Sequence, residues 1–278
     1  MNGKTVIVTG SNTGIGRVTA LELARQGADV VMACRSEERA APVVEEIQKA
    51  TGANVEYMKL DLGSFAGIQD FADAYLKTGK PIDVLVNNAG IAGLIGQTSD
   101  GFEMHFGVNH LGPMLLTHLL LDRIKESVET SGHGRIVTVA SRAHTRVQGI
   151  DYSTVKQRTL TKTGFPEYSV SKLGNVLFNM ELAKHLEGTN IHTYALHPGV
   201  VASDIWRRVP ALVRPIAKLF MITNEEGAQT SIYCASSPGC AGETGLYYDK
   251  SKLKTTANHA TSEAAQECWE KSMEYIGK

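Results

Sequence analysis

Thr5-Val6-Ile7-Val8-Thr9-Gly10-Ser11-Asn12-Thr13-Gly14-Ile15-Gly16 is the stretch that decides the fold. Thr5 to Thr9 is a short β-branched apolar run, the pattern of a buried strand. The chain then passes through Gly10, Gly14 and Gly16 and enters an amphipathic stretch that reaches Gln26. Strand, glycine-rich turn and helix in that order can make an anion site. Glycine lets the backbone approach a ligand closely, and the first helical turn offers free N–H groups at the positive end of the helix dipole. The spacing is G-x-x-x-G-x-G, not the G-x-G-x-x-G of the usual dinucleotide fingerprint. A tight strand–helix turn without a ligand is the simpler alternative. Gly10, Asn12, Thr13, Gly14, Ile15 and Gly16 are the candidate pyrophosphate-binding residues.

Outward from this unit the alternation repeats. Apolar runs at 30–33, 55–60, 82–86, 135–141, 191–196 and 245–248 read as strands. Amphipathic stretches at 36–50, 64–78, 101–124, from Tyr168 to Leu186, 224–235 and 261–276 read as helices. Ser36 is a plausible N-cap with Glu37 and Glu38 in the first turn, whereas Pro42 marks a late start or a kink. No hairpin signal interrupts the order, and strands end in small or polar residues. The expected fold is α/β: a single Rossmann-like doubly wound domain over 1–278, with a parallel seven-stranded sheet and helices on both faces. Residues 204–224 are apolar with interspersed Arg207, Arg208, Arg214 and Lys218, and read as a substrate lid. A packed surface helix or an interfacial membrane helix would show the same pattern.

Ligands of such sheets bind outside the carboxyl ends of the strands. Asp29 precedes the second strand and is therefore at the wrong end to hold a ribose. Arg35 follows that strand. A guanidinium binds a 2′-phosphate and stacks on adenine, which predicts NADP(H) over NAD(H). The alternatives are a solvated Arg35, or Glu37 or Glu38 reaching the ribose. Arg17 and Arg39 could assist. Asn87-Asn88-Ala89-Gly90 ends the fourth strand at the same edge, where a turn and a ligand contact would use the same residue types.

Tyr168 and Lys172 are four residues apart, one turn along a helix face. A nearby ammonium favours the phenolate, so the pair can exchange a proton near neutrality, as alcohol–carbonyl interconversion requires. Ser141, at the end of the fifth strand, can offer its hydroxyl to a substrate oxygen. Asn109 lies inside an otherwise helical pattern, where asparagine is a poor former and can divert backbone hydrogen bonds. His105, His110 and His118 lack a convincing metal spacing and read as helix-surface or packing residues. Residues 142–167 form a long polar segment carrying Arg142, Arg146, Lys156, Arg158 and Lys162; loops of that length are usually functional or mobile.

The composition excludes several classes. A net charge of −1 gives no reason to expect a nucleic-acid partner. Four cysteines without a CxxC pair argue against a zinc site and a disulfide framework, and fit a reducing, cytoplasmic compartment. No apolar run is long enough for a transmembrane anchor, and Met1 to Lys4 leads directly into a strand with no signal peptide.

Taken together, Thr9-Gly10-x-x-x-Gly14-Ile15-Gly16, Asp61-Leu62, Asn87 to Gly90, Asn109, Ser141, Tyr168-x-x-x-Lys172 and Pro198-Gly199 resemble the short-chain dehydrogenase/reductase family over nearly the whole chain. Ala33-Cys34-Arg35, Asp100 to Glu103, Val108 to Gly112, His197 to Val201 and Glu226 to Thr230 are similar to its retinol-dehydrogenase-like branch. That resemblance implies an oxidoreductase interconverting a hydrophobic alcohol and its aldehyde or ketone by hydride transfer. It implies Asn109, Ser141, Tyr168 and Lys172 as a catalytic relay. It adds Asp61, Leu62, Asn88, Ala89, Gly90, Tyr168, Lys172, Pro198, Gly199, Val201 and Ser203 to the cofactor site, and a homo-oligomer as the assembly. An epimerase or dehydratase on the same fold, a non-catalytic NADP(H) sensor and a membrane-surface protein are the competing readings.

Overall fold

The computed structural model describes residues 1–200 and 222–278. The expected lid at 204–224 therefore lies almost wholly outside the described residues, as do Val201 and Ser203. Four strand–helix units and a fifth strand open the chain: β1 (Thr5–Thr9), α1 (Gly14–Arg25), β2 (Asp29–Cys34), α2 (Glu37–Thr51), β3 (Val55–Lys59), α3 (Phe65–Lys77), β4 (Val84–Asn87), α4 (Met104–Phe106), α5 (Gly112–Ser131) and β5 (Gly134–Val139). Then come α6 (Phe165–His185), β6 (Ile191–His197), α7 (Asn224–Ser236), β7 (Leu246–Asp249), β8 (Lys252–Leu253) and α8 (Ser262–Tyr275).

The sheet order is β3-β2-β1-β4-β5-β6-β7-β8. The chain builds outward from β1 to β3, then returns to place β4 on the other side of β1. The order thus reverses between β1 and β4, and a crevice opens at their carboxyl ends. Alternation along each strand fills two cores. Ile7, Val31, Leu85 and Ile136 face α3, α5 and α6, while Val6, Val8, Val30, Val86 and Val137 face α1, α2 and α7. This is the period-two pattern of a sheet covered on both sides.

Among the described residues the sheet has eight strands, not seven. β8 pairs antiparallel with β7, with Asp249 opposite Lys252. Lys250 and Ser251 between them have φ of 54° and 57°. Positive φ at both central residues of a two-residue loop is the type I′ arrangement that suits the strand twist. No glycine or asparagine announces it, so the sequence hid it.

Pro42 neither delays nor ends α2. The Ser36 side chain caps the helix by accepting from the Arg39 amide at 3.4 Å, and the helix runs through to Thr51. The cap sets the start ahead of the proline. The single helix expected over 101–124 is broken: α4 passes into a π-helix at Gly107–Leu111 before α5. There the Gly112 amide bonds the Gly107 carbonyl, one residue further back than in an α-helix. Asn109 sits at the centre of this turn.

Histidines are sealed into this core. His110 is 1% exposed between the π-helix, α6 and α8, and its Nε2 lies 2.8 Å from Ser272 Oγ. Burial pushes His110 down to about 4, against a smaller raising effect of the Asn175 side chain. Burial likewise holds His197 at about 4, helped by Arg142 and opposed by Asp249. Both rings titrate near the ordinary 6.5 when unfolded, so below that pH the unfolded chain binds more protons. Their contribution is complete above pH 6.5 and is lost as pH falls towards 4. Each is worth up to roughly 3 kcal/mol over that window. Urea midpoints should therefore hold above pH 6.5 and fall steeply between 6.5 and 4. A midpoint unchanged down to pH 4.5 would contradict this.

Candidate active site

Thr9, the last residue of β1, ties the two sides of the crevice together. Its Oγ1 accepts from the amides of Asn88 at 3.0 Å and Ala89 at 2.9 Å and donates to the Val86 carbonyl at 3.3 Å. The Asn88 side chain donates to the Thr9 carbonyl at 2.7 Å. The glycine turn after β1 and the Asn88–Gly90 turn after β4 are thereby fastened face to face. Two glycines are required by this closeness. A Cβ on Gly16 would lie 2.4 Å from Asn88 Nδ2 and 2.6 Å from the Gly10 carbonyl. A Cβ on Gly10, whose φ is +64°, would lie 2.9 Å from Ala89.

A cleft of about 630 Å³ opens over this junction. Gly10, Asn12, Thr13, Gly14, Ile15, Gly16, Arg35, Asp61, Leu62, Asn88, Ala89, Gly90, Tyr168, Lys172 and Pro198, all candidates from the sequence, line it. The N-cap of α1, Thr13, makes no side-chain cap, which leaves the first amides of α1 without that partner. An uncapped helix start at a glycine cradle fits the pyrophosphate of a nicotinamide dinucleotide. Arg35 is exposed at the far end beside Ser36 and Arg39, which also line the cleft. Arg17 does not assist there. Its guanidinium is held by Glu46 through two bonds. Asp29 is the first residue of β2, paired with Thr5 at the opposite end of the strands.

Gly199 does not line the cleft. It has φ +94°, and a Cβ there would meet Ile222 at 2.3 Å. Arg39, offered by the sequence as an assistant to Arg35, lines the cleft, and so do Ser36, Ile91, Ala92, Leu94, Val108, Val139 and Ala140, which were not proposed for the site. For Ser36, Val139 and Ala140 the signal was available, since each ends or follows a strand that ends there. The others needed the tertiary fold.

The helix face carrying Tyr168 and Lys172 is not a solvated face. Ser171, Lys172, Asn175 and Asn179 are each at most 3% exposed, because α6 packs against the sheet and also against the π-helix. Lys172 Nζ donates to the Val139 carbonyl at 2.7 Å and lies 5.7 Å from the Tyr168 ring centre. Burial alone pulls the ammonium down to about 7. The Tyr168 phenol is pushed up by burial, against a lowering hydrogen bond with Ser141. Burial thus opposes the lowering by the lysine charge that the sequence leads one to expect. Ser141 Oγ also accepts from the Ala143 amide at 3.1 Å, which leaves its proton available to donate.

Asn109 stands behind this group, outside the cleft wall. Its Oδ1 accepts from the Ile91 amide at 2.8 Å, and its Nδ2 donates to the Ile91 carbonyl at 3.0 Å and to Ser171 Oγ at 3.0 Å. Ser171 in turn donates to the Tyr168 carbonyl at 2.8 Å. Gly90 fits between Asn109 and Lys172, where a Cβ would be 3.3 Å from the amide oxygen and 3.5 Å from Nζ.

Glu103 and His105 were not proposed for the site, although His105 read as a helix-surface or packing residue. The buried Glu103 carboxylate accepts from the amides of His105 and Phe106, both at 2.8 Å, and from Thr159 Oγ1 at 2.6 Å. His105 Nδ1 lies 2.9 Å from its Oε1. The His105 ring stands edge-on to Tyr168, with centres 6.3 Å apart. These contacts hold the outer wall of the site. Among the described residues no cluster of metal-ligating side chains occurs, and no helix is long and apolar enough to cross a membrane.

Comparison with known proteins matches this geometry. The model of the family described as short chain dehydrogenase matches residues 4–212. Dehydrogenase/reductase SDR family member 13 of Bos taurus is 42% identical over 285 residues, covering 100% of this chain and 74% of that protein. Human retinol dehydrogenase 11 is 41% identical over 280 residues, covering 99% of this chain and 86% of that protein. Among solved structures, 3-ketoacyl-(acyl-carrier-protein) reductase from Brucella melitensis complexed with NADH superposes with a TM-score of 0.70 at 25% identity, covering 89% of this chain and 96% of that one.

Proposed function

The chain belongs to the short-chain dehydrogenase family, on its retinol-dehydrogenase-like branch, and we propose that it reduces a hydrophobic aldehyde or ketone, or oxidises the matching alcohol, with NADP(H). Alcohol–carbonyl interconversion with a nicotinamide cofactor follows from the family; the choice of NADP(H) and of a hydrophobic substrate rests on the site.

One observation carries the reading: Tyr168 and Lys172 line the same cleft as the glycine cradle and Arg35. The cofactor, when bound, supplies or accepts a hydride at the carbonyl carbon. The glycine turn from Gly10 to Gly16 would hold its pyrophosphate, with Asp61 and Leu62 near the adenine. Asn88, Ala89, Gly90 and Lys172 would hold the riboses, and Pro198 the nicotinamide; the family resemblance adds Gly199, Val201 and Ser203 to that group. Arg35, with Ser36 and Arg39 beside it, supports a 2′-phosphate, since a guanidinium next to a hydroxyl is a phosphate site.

Tyr168 is poised as a general acid in reduction. Its raised pKa keeps the phenol protonated, ready to give its proton to the oxygen that becomes an alkoxide. Ser141 orients that oxygen with its free hydroxyl proton and stabilises the charge that develops on it. Lys172, titrating near neutrality, can return a proton to Tyr168, and Asn109 fixes the segments on either side of it. In oxidation the same groups act in reverse. The apolar wall formed by Ile91, Ala92 and Leu94 supports a hydrophobic substrate, as do relatives named for retinol.

A panel of medium-chain and aromatic aldehydes and ketones, followed by NADPH absorbance, tests this. NADPH consumption with at least one apolar carbonyl is the expected result. Cofactor binding without consumption across the panel would favour a sensor instead.

A further inference from the structure

Ser141 can act only if its hydroxyl is held against the Tyr168 phenol, and it sits at the loose end of a strand. β5 stops at Val139, and Ser141 opens a single 3-10 turn, Arg142–Arg146. Inside that turn, His144 is 1% exposed. Its Nδ1 lies 2.6 Å from the Ser141 carbonyl oxygen. A carbonyl can only accept, so Nδ1 carries the proton. Nε2 is then an acceptor, and the Ala257 amide donates to it at 3.3 Å. The His144 carbonyl faces His259 Nε2 at 3.3 Å. The ring packs against Tyr247, with centres 4.9 Å apart and planes at 64°. Both ring nitrogens are thus used, each in the one role its partner permits. Burial favours the same neutral ring by disfavouring imidazolium.

We infer that His144 is a positioning residue for the reaction: a neutral, Nδ1-protonated ring that clamps the Ser141 backbone and is itself locked by the segment around Ala257 and His259. The inference rests on the proposed oxidoreductase reading. The lock comes from the chain beyond β8, after the stretch that the family model matches. The segment between β8 and α8 therefore does more than cap the sheet, because it reaches the group that polarises the substrate oxygen. His144 touches neither cofactor nor substrate in this role. It determines where Ser141 Oγ points, and a displacement of about 1 Å in such a group costs on the order of 10²-fold in rate.

The test compares wild type, His144→Phe and His144→Asn with NADPH and nonanal. Phenylalanine keeps the ring and removes both bonds. Asparagine places its amide nitrogen where Nδ1 was and keeps the bond to the Ser141 carbonyl. His144→Phe should lower kcat by about 10- to 100-fold. The KM for nonanal and the NADPH affinity, read by fluorescence, should stay within about twofold, because the cradle and the apolar wall are untouched. His144→Asn should recover most of the lost kcat. Two outcomes overturn the inference: an unchanged kcat in His144→Phe, or an asparagine variant as slow as the phenylalanine one. A readout independent of turnover is the tautomer of the wild-type ring, from nitrogen–proton correlation NMR. Nδ1–H is expected, and Nε2–H would overturn the inference whatever the enzyme reduces. Failure of wild type to oxidise NADPH with any carbonyl would instead count against the oxidoreductase reading, and the ring tautomer would still decide the clamp.

Discussion

Tyr168→Phe will lower kcat by about 10³-fold, within the range of a lost general acid, and leave NADPH affinity within about twofold. The substitution removes one oxygen and keeps the ring. The ring's packing is with Phe165, centres 6.0 Å apart, and with His105, both of which phenylalanine retains. Lys172 keeps its bond to the Val139 carbonyl, so the buried ammonium is not orphaned. The glycine cradle lies on other elements and does not feel the change. Equilibrium binding by NADPH fluorescence and turnover by absorbance, on the same preparation, separate the two effects. A variant that turns over within about fivefold of wild type would remove Tyr168 from the chemistry.

Arg35→Asp will reverse the cofactor preference. Arg35 stands exposed in the cleft, beyond the carboxyl end of β2, with Ser36 and Arg39 next to it. An aspartate there repels a 2′-phosphate and accepts a hydrogen bond from a free ribose hydroxyl. Loss of one charge-assisted contact and its replacement by a like charge should lower kcat/KM with NADPH on the order of 10²-fold. The value with NADH should rise or hold. Arg17 offers no rescue, because Glu46 holds it. The ratio of kcat/KM for the two cofactors is the quantity to measure. A ratio that does not move would assign the 2′-phosphate to Arg39 and Ser36 alone, or remove the preference altogether.

Much of the cleft lining was legible in the sequence because it is written at the carboxyl ends of buried strands. Each apolar run announces its own end, and the residues just past that end must face the crevice. Gly10 to Gly16, Arg35, Asn88 to Gly90 and Ser141 are recognisable in that way. The same reasoning correctly sets Asp29 aside. The features that the sequence concealed depend on packing between segments distant in the chain. The π-turn at Gly107–Leu111 has the apolar spacing of an ordinary helix, and only its contacts with Ile91 and Ser171 show why Asn109 is there. His105 and His110 read equally as helix-surface or packing residues, and His144 carries no signal of its own, until a carboxylate, a serine and a carbonyl are found against them. The strand β8 is two residues long and turns without glycine, so no local signal marks it. Lys172 shows the limit most plainly. Its spacing from Tyr168 was visible, but its burial, which sets its protonation, was not.

The central claim is that this cleft transfers hydride between NADP(H) and a carbonyl carbon. Incubating the wild-type protein with NADPH deuterated at the transferable position and a carbonyl that it consumes tests that claim most directly. The account predicts one deuterium on the carbinol carbon of the product, with its loss from the cofactor. NADPH oxidised with no deuterium in the alcohol, or a product formed with the cofactor unchanged, would contradict it.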